Sequence, residues 1–184
     1  MRSVVISRYG PPEVLEVFDL PDPIPGHKQI RIRVKAAGIN FADLLSRMGL
    51  YPGAPELPFV PGLESCGMVD AAGAEVDPSW VGRRVIAPTW FGGCADILLA
   101  DPEDVAPLPE GKTFEEGAAF AVTYLTAYHG LVFLANVQPG DWVLVHVAAG
   151  GVGTAAVQLA LDRGAVVIGT ASAAKHDFLK QMGV

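Results

Sequence analysis

A glycine-rich turn set between two short apolar runs limits what this 184-residue chain can fold into more than any other feature. Residues 142–147 read as a strand of the buried type. Ala148-Ala149-Gly150-Gly151-Val152-Gly153 follows, and then a helical stretch to about Arg163 that Gly164 stops. A second apolar strand over 165–170 leads into a last helix ending near Met182. Strand, turn, helix and strand in this order form the repeating unit of a parallel sheet. The spacing Ala148-x-Gly150-x-x-Gly153 departs from G-x-G-x-x-G only at its first position, and it stands after a strand and before a helix, where that pattern has physical meaning. Gly150 lets backbone come close to a pyrophosphate, and Gly153 lets the helix lie against the strand. The N–H groups at the helix start then face the anion. The candidate phosphate-binding residues are Ala149, Gly150, Gly151, Val152 and Gly153; the competing reading is a glycine turn with no ligand.

The end of the second strand bears on which dinucleotide fits. A site for NAD places Asp or Glu about 20 residues beyond the glycines, on the ribose 2′-OH. Here Thr170-Ala171-Ser172 stands at that point, with Lys175 and His176 just after it. Hydroxyls and a cation suit a 2′-phosphate, so Thr170, Ser172 and Lys175 point to NADPH. Against this, Ser172 caps the last helix in the simpler reading, and Lys175 is then a solvated charge.

The first 110 or so residues have a different grammar. Short β-prone runs at 4–7, 15–18, 29–36, 67–71, 84–87 and 95–99 are separated by turns rich in Pro and Gly, which predicts a small, curled, mostly antiparallel sheet. One helix interrupts it, with Asn40 as N-cap, Asp43 in its first turn and Gly49 as its stop. Thr113-Phe114-Glu115-Glu116 is a capping box, predicted to open one apolar helix running to about Phe133. The expected boundaries are 1–125 for a β-rich domain and 126–184 for the first part of a doubly wound one.

Composition narrows the classes. A net charge of -7 with no Lys/Arg run argues against nucleic-acid binding. No apolar stretch is long enough to cross a bilayer or to serve as a signal peptide. Cys66 and Cys94 read as free thiols of a cytoplasmic protein.

Several segments together resemble one family: Ala36-Ala37-Gly38-Ile39-Asn40-Phe41-Ala42-Asp43, Arg47-Met48-Gly49-Leu50-Tyr51-Pro52, Pro61-Gly62-Leu63-Glu64, Leu125-Thr126-Ala127-Tyr128, and Val145 to Gly153 with Gln158. They look like the zinc-free quinone oxidoreductase, or zeta-crystallin-like, branch of the medium-chain dehydrogenase/reductase superfamily, with most detailed likeness to its VAT-1 group. The resemblance covers nearly the whole chain. It implies a GroES-like catalytic domain joined to a Rossmann domain, a site in the cleft between them, and a homodimer. The zinc alcohol dehydrogenases of the superfamily have Cys where this chain has Asn40 and His where it has Leu63; Glu64 alone cannot hold zinc, so no metal is expected.

Without zinc, the substrate must bring its own electrophilicity, as quinones and α,β-unsaturated carbonyls do, and the developing oxyanion needs a donor. Asn40, Tyr51 and Thr126 are the candidates beside substrate and nicotinamide. Asn40 reads equally well as a helix cap only, Tyr51 as cover for the core, and Thr126 as a hydroxyl bonded back into its own helix. Tyr128, His129 and His146 are expected to pack, and Asp43 to support the helix start. Only about two strands of a doubly wound sheet are present, so the chain is expected to be a piece of a larger protein, inactive by itself. An NADPH-binding scaffold with little catalysis, a module serving only in interactions, and an enoyl reductase are the alternatives.

Overall fold

The computed structural model describes residues 1–184 and divides into two compact units, Met1–Val122 and Thr123–Val184. Unit 1 is built on a five-stranded antiparallel sheet. Its strands are β3 (Ile30–Gly38), β4 (Glu64–Ala72), β5 (Arg84–Pro88), β6 (Ile97–Ala100) and β7 (Ala106–Pro107), in spatial order β6-β3-β4-β5-β7. A hairpin of β1 (Arg2–Ile6) and β2 (Leu15–Asp19) stands beside it, tied on by bridges from Ser3 to Ala95 and from Ile6 to Phe59. Alternation drives the assembly: Ile30 and Ile32 of β3 point inward with Val69, Val85, Ala87 and Leu98, each large side chain contributing about 1.5–3 kcal/mol of burial. On the outer surface, Asp70 of β4 accepts from Arg31 at 2.8 and 3.2 Å and pairs with Arg33 at 2.7 Å across the strand pair.

Two slips in register, between Arg31 and Ile32 and between Val34 and Ala36, bend β3 along β4. This bend carries the chain from Gly38 into α1 (Phe41–Arg47), which stops where Gly49 takes a positive φ of 74°. β4 begins three residues earlier than its β-prone run suggested, at Glu64, so that residue is part of the sheet.

The single helix expected from Thr113 to about Phe133 is three pieces: α2 (Phe114–Ala118), α3 (Ala121–Tyr128) and a π-helical stretch over His129–Leu134. The capping box that opens α2 is present, with Glu116 N–H donating to Thr113 Oγ1 and Thr113 N–H donating to the Glu116 carboxylate. The helix breaks after Ala118 because Ala119 leaves helical geometry (ψ 4°) and Val122 turns its N–H to a side chain of unit 1. Its apolar residues still pack, with Ala118 and Ala121 joining Cys66, Ile86 and Leu108.

Unit 2 holds the β–α–β unit. β8 (Trp142–Val145) and β9 (Val166–Gly169) pair in parallel, with α4 (Gly151–Asp162) between them in sequence and α5 (His176–Gln181) after a single 3-10 turn. β8 ends two residues before the expected boundary, because Val147 has a φ of 53° that no strand continues. α4 lays Ala155, Ala156, Val157 and Ala160 against Val145 and Val167. The opposite face of the strand pair, Trp142, Leu144, Val166 and Ile168, is exposed.

Candidate functional site

In unit 2 the glycine turn is shaped around one carbonyl. Val147 O accepts the Gly150 N–H at 2.8 Å, and a Cβ on Gly153 would lie 2.2 Å from that same oxygen and 2.8 Å from Ala148 Cα. Gly153 is therefore the close-approach glycine, since any side chain would push α4 off β8. Gly150 is the N-cap of α4, and its own carbonyl accepts from Thr154 N–H. The next three N–H groups, on Gly151, Val152 and Gly153, are the helix-start donors that no intrahelical carbonyl reaches. Gly151 and Val152 are exposed, and Ala149 and Gly150 half-buried. The turn thus offers an anion a row of donors at the positive end of a 12-residue helix.

Beside it, Thr170 joins the two strand ends. Its N–H donates to Val145 O and its carbonyl accepts from Ala148 N–H, both at 2.9 Å. Its hydroxyl oxygen accepts the Val147 N–H at 3.2 Å and lies 3.3 Å from His146 Nδ1. Contrary to the packing expectation, His146 is exposed, as are Tyr128 and His129. The ring of His129 instead stacks on that of Phe133, 5.4 Å between centroids and 16° from parallel. Ser172 precedes the 3-10 turn Ala173–Lys175, but its hydroxyl does not cap that turn. Both Ser172 and Lys175 are exposed, and Lys175 makes no ion pair. His176 Nε2 donates to Ala171 O at 3.1 Å, folding the 171–176 loop back on itself. Thr126 lies on the exposed side of α3, beside Leu125, Tyr128, His129 and Phe133, around a shallow concavity of about 540 Å³. Gln158 of α4 is hydrogen-bonded by the Tyr124 hydroxyl.

In unit 1 the entry to α1 meets the start of β4 and the start of α3. Asp43, which is buried, accepts the Asn40 N–H at 2.8 Å and the Gly62 N–H at 2.9 Å. It holds the helix start, as expected. Asn40 Nδ2 donates to Glu64 Oε1 at 2.9 Å, and the other Glu64 oxygen accepts the Val122 N–H at 2.8 Å. Glu64 is only 2% exposed and has no cationic partner. Gly38 is opposite it in the strand pair, and a Cβ there would meet the backbone oxygen of Ala118 as well as Glu64 Oε1 at 2.5 Å, so this position admits only glycine. Leu63 lies in an apolar cluster with Ile6, Phe59 and Phe91, and Tyr51 packs on the same cluster half-buried. The Tyr51 ring stands 6.3 Å from that of Phe91 and 6.5 Å from that of Trp90. Nearby, burial pushes the Cys94 thiol up to about 11, with the Asp43 charge adding to it.

The structure thus gathers Ala149 to Gly153 with Thr170 in unit 2, and Asn40 with Asp43 and Glu64 in unit 1. Sequence reasoning missed Glu64 as part of the site, having weighed it only as a metal ligand. No local signal placed it there: the β-prone run was read from residue 67, and the donors that make a buried carboxylate tolerable lie far away in sequence.

Comparison with known proteins is consistent with this geometry. Residues 26–136 match the alcohol dehydrogenase GroES-like domain. The human synaptic vesicle membrane protein VAT-1 homolog is 43% identical over 187 residues, covering 100% of this chain and 48% of that protein. A quinone oxidoreductase of Pongo abelii is 42% identical over 173 residues, covering 93% of this chain and 53% of its own. A solved mycobacterial protein complexed with NADPH superposes with a TM-score of 0.91 at 36% identity, covering 100% of this chain and 57% of that one. The chain spans about half the length of the curated relatives it matches. Its antiparallel unit, its β–α–β unit and these likenesses together make it a member of the alcohol dehydrogenase GroES-like domain family, similar to the quinone oxidoreductases and VAT-1 homologs of the medium-chain dehydrogenase/reductase superfamily.

Proposed function

We propose that this chain belongs to an oxidoreductase that binds NADPH on unit 2 and reduces quinones or α,β-unsaturated carbonyls held on unit 1. The observation that carries the reading is the helix-start N–H groups of Gly151, Val152 and Gly153, the first two on exposed residues, at a turn where the buried Gly153 has no room for a Cβ. Such a turn fits a pyrophosphate, and a structural relative was solved with NADPH.

Bound NADPH would supply the hydride; everything else falls to the side chains. Ser172 and Lys175, exposed and uncommitted beside the end of β9, would take the 2′-phosphate, and Thr170 would hold the turn in register with them. In unit 1, the Asn40 amide would donate to the substrate oxygen as negative charge develops there, with Tyr51 lining the substrate's approach. Thr126, on the exposed side of α3, would contact the nicotinamide or substrate.

Thermal unfolding with NADPH and with NADH tests the cofactor reading, because a ligand that binds only the folded state raises Tm. NADPH should raise it and NADH should do so less. Lys175→Ala should weaken NADPH by about tenfold, the scale of one charge-assisted contact, and leave NADH unchanged. An equal effect on both dinucleotides would remove the 2′-phosphate assignment, and a Tm unmoved by both would remove the dinucleotide site. Following NADPH consumption with a quinone and with an enone reads the reaction class.

A further inference from the structure

We propose that Glu64 is a positioning residue that fixes which end of the Asn40 amide faces out, and so makes Asn40 a hydrogen-bond donor to substrate. The inference rests on the proposed role of Asn40 and extends it to a residue that touches no substrate. An asparagine amide can sit either way round in the same volume, presenting N–H or C=O, and only its neighbours decide. Here the neighbour is a carboxylate oxygen at 2.9 Å. With the amide reversed, two oxygens would face each other at that distance, inside a pocket where Glu64 is 2% exposed. The Glu64 oxygen on one side, and on the other the Asp43 N–H that faces the Asn40 side chain in the capping box, lock the amide with Nδ2 toward Glu64. Its second N–H, set by planarity at about 120° from the first, makes no hydrogen bond, and Asn40 is partly exposed.

Position 64 needs a carboxylate for a second reason. Its other oxygen accepts the Val122 N–H at 2.8 Å, at the start of α3. Two donors converge on one side chain, and only an acceptor-only group satisfies both. A glutamine would have to aim its own NH2 at one of them. The backbone N–H of Val122 cannot turn away, whereas the Asn40 amide can, so the amide is the one that flips.

The test uses two variants, made in the intact protein. Glu64→Gln should flip the Asn40 amide and lower kcat for quinone or enone by about 100-fold, the scale for losing one oxyanion donor, with little change in NADPH affinity. Adding Asn40→Asp to Glu64→Gln restores the buried pairing, because the introduced glutamine can then donate to the introduced aspartate and still accept from Val122. The double variant should recover the Tm lost in Glu64→Gln but not the turnover, since an oxygen now faces out. Turnover that returns together with Tm would show that Glu64 serves stability alone, and would overturn the proposal. A readout independent of turnover is the side-chain resonance of Asn40 in 15N-labelled protein. One Nδ2 proton should be downfield and slow to exchange, and should lose both properties in Glu64→Gln; two ordinary exposed protons in the wild type would also overturn it. If Asn40→Ala keeps full kcat while the resonance is as expected, the donor role of Asn40 fails, and the positioning role fails with it. Absence of NADPH binding would instead sink only the proposed reaction, leaving the resonance to decide the amide.

Discussion

At the scale of single residues, unit 1 keeps two thiols out of reach of base. Burial pushes both Cys66 and Cys94 up to about 11, against an ordinary value of 9.0. For Cys66 the charge of Arg84 pulls the other way and loses to desolvation. A thiol that ionises less readily folded than unfolded contributes stability in full below about pH 9, and that contribution disappears as pH rises through about 11. Urea midpoints measured from pH 8 to 11 should therefore fall, and Cys66→Ser with Cys94→Ser should flatten that fall. Thiol labelling at pH 8 should be slow in buffer and fast in urea, because the thiolate is the reactive form. The residues of the site divide by the kind of signal they gave. The glycines of the turn could be read from sequence because their requirement is local, set by neighbours within six positions. Glu64 could not, because the donors that justify it come from 24 residues before it and 58 after it.

At the scale of elements, every strand but the two-residue β7 and the β–α–β order were legible from apolar alternation and turn residues, and the capping box at Thr113 marked the start of α2. What failed was continuity. The stretch from Thr113 to Phe133 is mostly helix-compatible and has no proline, so nothing local announces the break after Ala118. The interruption is made by a distant acceptor at the start of α3. The π-helical stretch over His129–Leu134 went unseen for the same reason, as its residues suit an α-helix equally well. The contact of α4 with β8 makes a sharper prediction. Gly153→Ala puts a methyl 2.2 Å from Val147 O and should cost about 3 kcal/mol, at the upper end for overpacking, by urea denaturation. Gly130→Ala meets nothing within 4 Å and should be neutral or slightly stabilising.

At the scale of the whole molecule, the two units differ in how completely they cover their sheets. In unit 1 the β3–β4–β5 core is buried, with Ile30, Ile32 and Val85 inaccessible to solvent. In unit 2 one face of the β8–β9 pair shows Trp142 at 73% and Leu144 at 57% exposure, and neither strand has a second neighbour. The chain spans about half the length of its relatives, and in an isolated 184-residue stretch an apolar face with open edges is a template for association. Light scattering of this 184-residue chain should show concentration-dependent self-association that Trp142→Lys with Ile168→Lys suppresses. The same pair should shift stability by only about 0.5 kcal/mol, as expected of exposed positions.

Val147 has one more consequence. A β-branched residue held at a φ of 53° gives up about 1–2 kcal/mol that glycine would not, yet its carbonyl orientation is the pivot around which the whole turn is drawn. A library randomised at this codon and sorted for folding alone would drift to glycine and asparagine. One sorted for nucleotide retention would keep bulk there if the valine side chain matters to the ligand, so the two sorted pools would part company at a single position.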